Sequence, residues 1–280
     1  MVKIVTDSVS DLPKEYIEKY DIKVMNLNII FGEKTYKDRV DISPNEVFKR
    51  IENNNEFPKT SQVTPFEFIE TFDDLTKNSD EVLAILMSSK MSGTYNSAII
   101  AKNELEDRKI EVIDSKGITL GYGLMVIEAA KMAEQGKSVD EIKKRMHSMI
   151  DNMEYLIVFD TLEYAYKGGR ISKSQYVISN FLNIKSIVTM QNGELIVKDK
   201  VRGRKKVIKW LTDYIKSNNI DINDKVIGLN HVNDYEYLEK LKTEITNEFN
   251  PNEIVISDVG CTVAAYSGLS AIAIYFEKEA

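Results

Sequence analysis

The chain has 280 residues, 43% hydrophobic and 29% charged, with a formal net charge of −7. That length suits one large domain or two closely packed ones, with enough apolar material for a sizeable core. The acidic balance, with Lys and Arg scattered among acids, argues against general nucleic-acid binding and against adsorption to an anionic membrane by bulk charge.

The first half alternates β-rich runs with helical patterns. VKIVT (2–6) makes the opening MVKIVTDS a first strand rather than a signal peptide. A helix is expected over 12–20, capped by Ser10 or Asp11. IKVMNLNIIF (22–31) reads as a strand ended by Gly32. SPNEVFKRIE (43–52) and TPFEFIETF (64–72) each open with a hydroxyl, a proline and a glutamate, the pattern of a capping box. EVLAIL (81–86) is an apolar strand, followed by a helix over 92–106, strand IEVID (110–114), and a helix over 118–135. Ser138 and Glu141 cap one more helix, with Ile142, Met146, Met149 and Ile150 on one face. Strands alternating with helices predict a mostly parallel sheet with helices on both faces.

The second half is patterned differently. EYLIVFD (154–160) is a strand, and TLEYAYKGGRIS a short helix broken by two glycines. IKSIVTM (184–190) and ELIVKDK (194–200) flank Asn192-Gly193, a pair that accepts the positive φ angles of a type I′ hairpin turn. Then come an amphipathic helix (203–217), a strand in DKVIGLNHV, the helix DYEYLEKLKTEITNEF, strand EIVIS (253–257) and a last strand over 269–277. The expected fold is α/β and two-lobed: a parallel-sheet N-terminal domain over 1–150 and a mixed-sheet α/β domain over 151–280, with a ligand between them. No apolar run reaches the length of a membrane span. One cysteine, Cys261, excludes an internal disulfide and suits a reducing cytoplasm. With only two histidines beside it, no zinc cluster of soft ligands is expected.

Two hydroxyl-rich turns carry the chemistry. KTSQVTP (59–65) holds Thr60 and Ser61 ahead of the helix cap at Thr64, so capping leaves them unexplained. MSSKMSGTYNSA (87–98) follows a strand and puts Ser92, Gly93 and Thr94 at a helix start, where free N–H groups and the helix dipole favour an anion. In an open parallel sheet, loops at the carboxyl ends of the strands share one crevice. Neither turn carries the lysine of a phosphate loop, and no G-x-G-x-x-G is present, so a carboxylate or small phosphate fits better than a nucleotide. Arg202, between the hairpin and Gly203, and Arg170, beside two glycines, are candidate cations. Small residues late in the chain (Ala264, Ala265, Gly268, Ser270) and on one helix (Gly121, Gly123, Leu124, Ile127) are candidate walls for an elongated ligand, with the Tyr266 hydroxyl as a polar contact. Lys205, Lys206 and His147 read as surface residues, and His231 and Cys261 as structural. Two aspartates in TDSVSD (6–11) admit a phosphohydrolase or phosphotransferase using Asp7, but such chemistry needs a second aspartate two positions on, where Val9 stands.

Taken in order, VTDSVSDLP, TSQVTPFEF, SSKMSGTYNSA, VIDSKGITLGYGL and LEYAYKGGRIS resemble the DegV family of bacterial fatty-acid-binding proteins across nearly the whole chain. The resemblance implies one long-chain fatty acid, such as palmitate, stearate or oleate, held between two lobes by a protein with no catalysis of its own. It implies that Thr60 and Ser92 hold the carboxyl, with amides near Gly93 and Arg202 assisting. It also implies a separate fatty acid kinase as partner, to which the acid is presented for conversion to acyl phosphate. Where the family usually ends in a histidine of a T-H-x-G-P-G-type segment, this chain has Tyr266, which donates a hydrogen bond but carries no positive charge at neutral pH. A binding module for another small amphiphilic carboxylic acid is the alternative. Any of these carriers requires an apolar channel beneath Ser92.

Overall fold

The computed structural model describes residues 1–54, 56–78, 80–179 and 183–278. Its strands are β1 (Val2–Asp7), β2 (Lys23–Met25), β3 (Asn28–Phe31), β4 (Lys34–Lys37), β5 (Lys59–Ser61), β6 (Glu81–Leu86), β7 (Ile110–Asp114), β8 (Met153–Phe159), β9 (Ile184–Gln191), β10 (Glu194–Arg202), β11 (Val226–Val232), β12 (Glu253–Asp258) and β13 (Ala271–Glu277). Its helices are α1 (Lys14–Lys19), α2 (Pro44–Asn54), α3 (Pro65–Thr76), α4 (Thr94–Glu104), α5 (Thr119–Glu134), α6 (Val139–Asn152), α7 (Glu163–Lys167), α8 (Lys173–Ser179), α9 (Val207–Ser217), α10 (Tyr235–Phe249) and α11 (Cys261–Ser267).

A four-stranded sheet in the order β2-β1-β6-β7 is parallel throughout. Its central strand β6 is a run of apolar residues buried on both faces, as a parallel sheet demands. The second large sheet, β10-β9-β8-β13-β11-β12, is antiparallel except for the β11–β12 pair. Helix α5 lies between the two, touching β1 on one side and β8, β11 and β13 on the other. It is apolar around most of its circumference because both sides are covered. The other face of the mixed sheet packs on α9 and α10 through Leu211, Ile215, Leu238 and Leu241. The chain is therefore α/β, with one parallel and one mixed sheet.

Local signals hold where they are strongest. Thr64 with Glu67, and Ser138 with Glu141, form reciprocal capping boxes. Asn192 (φ 52°) and Gly193 (φ 84°) both take positive φ, and β9 and β10 pair directly on either side of them.

Three expectations are corrected. The stretch 22–31 is two strands, not one: β2 joins the parallel sheet, while β3 turns away at Asn26-Leu27 into a small antiparallel sheet, β4-β3-β5. Residues 261–267, to which the sequence pattern assigned no element ahead of the last strand, form α11. Neither Ser10 nor Asp11 caps α1, whose N-cap is Pro13 with no side-chain bond. Instead the Ser10 hydroxyl donates to the Asp7 carbonyl, and Asp11 accepts from the Gly260 amide.

Candidate functional site

An apolar slot opens where five parts of the chain meet. Strand β5 contributes Thr60, and the loop after β6 contributes Met87, Met91 and Ser92. Helix α11 turns Thr262, Val263, Tyr266 and Ser267 towards it, the 3.6-residue spacing of one helical face. The glycine-broken segment after α7 supplies Arg170, and the mixed sheet supplies Phe159 and Leu195. Val9, Leu27, Ile118 and Ala165 complete the lining. The slot encloses about 60 Å3, room for roughly two waters.

Its mouth is polar. Thr60 Oγ1 and Tyr266 Oη lie 2.5 Å apart. The Arg170 guanidinium sits over the Tyr266 ring at 4.6 Å and donates to the carbonyls of Met91 (3.3 Å) and Gly168 (2.5 Å). Thr60, Arg170 and Tyr266 also border an open surface hollow with Phe57, Lys59 and Lys167, so these three side chains separate the slot from the outside. Ser92 Oγ accepts from the Thr94 amide at 3.3 Å and shares a bond with Thr94 Oγ1 at 3.0 Å, at the start of α4. Gly93 is the N-cap residue there, and a Cβ on it would collide with Gln62 Oε1 at 1.9 Å.

Thr60, Ser92 and Tyr266 are thus brought together, and Gly93 adjoins them. Ser61 points elsewhere along its strand and accepts from Asn28 Nδ2. Arg202 stands exposed at the end of β10, outside the slot lining, whereas Arg170 is in it. The expected wall residues lie elsewhere. Gly121 backs onto the Tyr155 ring and Gly123 onto the Ser10 carbonyl, while Leu124 and Ile127 face a different hollow. Ala264 and Ala265 are packed on the far side of α11, and Gly268 lies against the Tyr164 ring. A helical reading of CTVAAYS would have exposed the 262/263/266/267 face; its Thr, Val and Tyr favour strands and hid it.

Beneath α11 lies a buried acid cluster that sequence reading missed. Asp38 accepts from the Cys261 and Thr262 amides, the Thr262 hydroxyl and the Ser8 hydroxyl. Asp11 accepts from Arg39, which also donates to the Asp258 carbonyl. Burial pushes Asp11 up to about 7, against the lowering effect of Arg39. Asp7 accepts from the Val9 and Met87 amides and the Tyr122 hydroxyl, and burial pushes it up to about 6. Both of its oxygens are engaged and it is fully buried, a poor setting for a nucleophile. Cys261 is buried, with its thiol directed to the Ile42 carbonyl, and burial raises its pKa. His231 accepts from the Asp234 amide on Nδ1 and meets Asp258 on Nε2.

A parallel and a mixed sheet, with an apolar slot whose mouth is lined by hydroxyls and an arginine, define an α/β fold with a built pocket. The sequence profile of the DegV family, described as an uncharacterised family, matches residues 1–279, and the chain belongs to that family. A DegV domain-containing protein of Caldanaerobacter subterraneus is 42% identical over 278 residues, covering 99% of each chain. Among solved structures, a fatty-acid-binding DegV family protein from Thermus thermophilus superposes with a TM-score of 0.91 at 26% identity, over 99% of each chain. A stearic acid-binding protein from Eubacterium ventriosum does so with a TM-score of 0.89 at 27% identity, also over 99% of each chain.

Proposed function

We propose that this protein is a carrier of one long-chain fatty acid, without catalysis of its own. The tail lies in the slot and the carboxyl at the mouth, between Thr60, Ser92 and Tyr266. The observation that carries this reading is the junction of a mostly apolar slot with a mouth bearing Thr60, Tyr266 and Arg170, and with Ser92 in its lining. An ionised carboxylate leaves water only at a cost of several kcal/mol unless hydrogen bonds replace its hydration. Thr60, Ser92 and Tyr266 can donate to it, and Arg170 adds a charge within reach. About fifteen methylenes at ~0.8 kcal/mol each give on the order of 12 kcal/mol of gross driving force, reduced by association entropy.

A tail of that length needs on the order of 400 Å3, counting each methylene as about the bulk of a water. The slot side chains must therefore give way. Met87, Met91 and Leu195 are the flexible ones, and methionine adapts its shape readily. By its likeness to the family, we further propose that the mouth is presented to a separate fatty acid kinase, which converts the bound acid to acyl phosphate.

The test is organic extraction of the purified protein followed by mass spectrometry. Stoichiometric long-chain fatty acid in protein from several expression hosts is the expected result. Its consistent absence, or the presence of a different carboxylic acid, would overturn the assignment.

A further inference from the structure

Beyond Phe159 the inner face of the mixed sheet continues over Ile157, with Ala271 and Ala273 opposite these two, and then meets Tyr155 opposite Tyr275. Four residues at about 3.3 Å each put Tyr155 roughly 13 Å further along β8 than Phe159. The two tyrosine rings meet edge to face, centroids 5.6 Å apart. They are held differently. Tyr275 Oη donates to Asn230 Oδ1 at 3.0 Å and accepts from Thr119 Oγ1 at 2.7 Å. Tyr155 Oη is buried and, among the described residues, has no hydrogen-bond partner, an unfavourable condition for a hydroxyl.

What admits the Tyr155 ring is space left by two glycines. A Cβ on Gly121 would come 2.1 Å from its Cε1, and one on Gly117 would come 2.1 Å from its Oη. Tyr155 also borders a polar hollow of about 460 Å3, lined by Thr189, Gln191 and Lys198 among others, which offers the donors and acceptors that its hydroxyl lacks.

We propose that Tyr155 is a yielding end wall. The end of a long acyl tail displaces the ring from the glycine-lined recess towards the polar hollow, where its hydroxyl gains partners, while Tyr275 stays fixed. Tyr155 thereby sets which tail lengths the protein holds. This inference rests on the fatty-acid reading above and deepens it.

The experiment titrates the delipidated full chain with saturated fatty acids of rising length, for wild type, Tyr155→Ala and Tyr155→Phe. Each methylene that is fully buried raises affinity about fourfold. In the wild type that increment is expected to shrink at the length where the ring must move. Tyr155→Ala restores it over the next few methylenes and shifts the preferred acid to longer chains. Tyr155→Phe keeps the bulk, removes the hydroxyl's gain on moving, and shifts preference to shorter chains. Variants that bind fatty acid with the wild-type length profile overturn the proposal. Should Tyr155→Ala not fold, an unchanged profile in Tyr155→Phe is sufficient to do so. A wild type that takes up no fatty acid of any length overturns the underlying function instead.

Discussion

Thr60 and Tyr266 share a 2.5 Å hydroxyl contact across 206 residues of sequence. Thr60 reaches it from β5 of the small antiparallel sheet and Tyr266 from α11, so the contact closes the slot by joining two distant parts of the chain. Both hydroxyls already have a partner in each other.

Removing the Tyr266 hydroxyl is expected to weaken fatty-acid binding by one net hydrogen bond. Tyr266→Phe should cost roughly 1 kcal/mol, about fivefold in affinity. Thr60→Ala combined with Ser92→Ala should cost more while leaving the thermal unfolding transition cooperative. Displacement of a fluorescent fatty acid measures both. Wild-type titration curves would move the carboxyl away from this mouth.

The two arginines are distinguishable. Arg170 lines the slot and stacks on Tyr266, so Arg170→Gln should weaken binding at least about tenfold, the loss of a charge-assisted contact. Arg202 is exposed at the end of β10, and Arg202→Gln should change affinity by no more than about twofold, as for most surface substitutions. The opposite pattern in the same displacement assay would place the head group beside the end of β10.

Stability should fall as pH rises through the neutral range. Asp7 and Asp11 are pushed up to about 6 and about 7, chiefly by burial. Each carboxyl then binds its proton more tightly in the folded chain than in the unfolded one, where aspartate titrates near 3.9. Their stabilising effect is complete below about pH 4 and is lost as pH climbs to 6 for Asp7 and 7 for Asp11. Each group considered alone loses about 3 kcal/mol (Asp7) or about 4 kcal/mol (Asp11). Urea denaturation at pH 5 and pH 8 should show the lower midpoint at pH 8, and Asp11→Asn should reduce the difference by roughly two thirds. A midpoint that rises with pH over this range would refute the assignment of these carboxyls as destabilised anions.

Asp38→Ala should loosen α11 before anything else. The substitution strands two amides and two hydroxyls that now donate to one buried carboxylate. Leaving buried donors unpaired costs about 1–3 kcal/mol each when no water reaches them. Faster hydrogen exchange at the Cys261 and Thr262 amides, with β6 amides unchanged, is the expected readout. Equal protection of both segments would show that α11 is held by its apolar face alone.

Much of the fold was legible because its signals are local. The capping residues Thr64 and Ser138 and the Asn192-Gly193 turn act within a few residues of themselves, so their pattern survives in the sequence. Segments decided by distant partners were misread. The first amides of the helix CTVAAYS are received by Asp38, 223 and 224 residues away in sequence, and nothing within the segment announces that. The run 22–31 divides at Leu27, whose carbonyl accepts from the Asp38 amide and whose side chain faces the slot. At the slot, Thr60 stood out because capping left its hydroxyl unexplained, Ser92 because it opens a helix, and Tyr266 as a polar group among small residues; all three line the slot. The slot walls were sought among small residues, yet the slot is lined largely by bigger side chains such as Met87, Met91 and Phe159.

The fastening of α11 to Asp11 and Asp38 also bears on synthesis. A chain emerging from the ribosome has residues 1–114 available for the parallel sheet long before residue 260. Until then Asp11 and Asp38 are without the amides of Gly260, Cys261 and Thr262. Contacts of such long sequence separation form late and slowly. Helix α11, one side of the slot mouth, is therefore a late addition to the nascent protein, and until it docks the acidic residues beneath it lack the backbone donors that the finished molecule gives them.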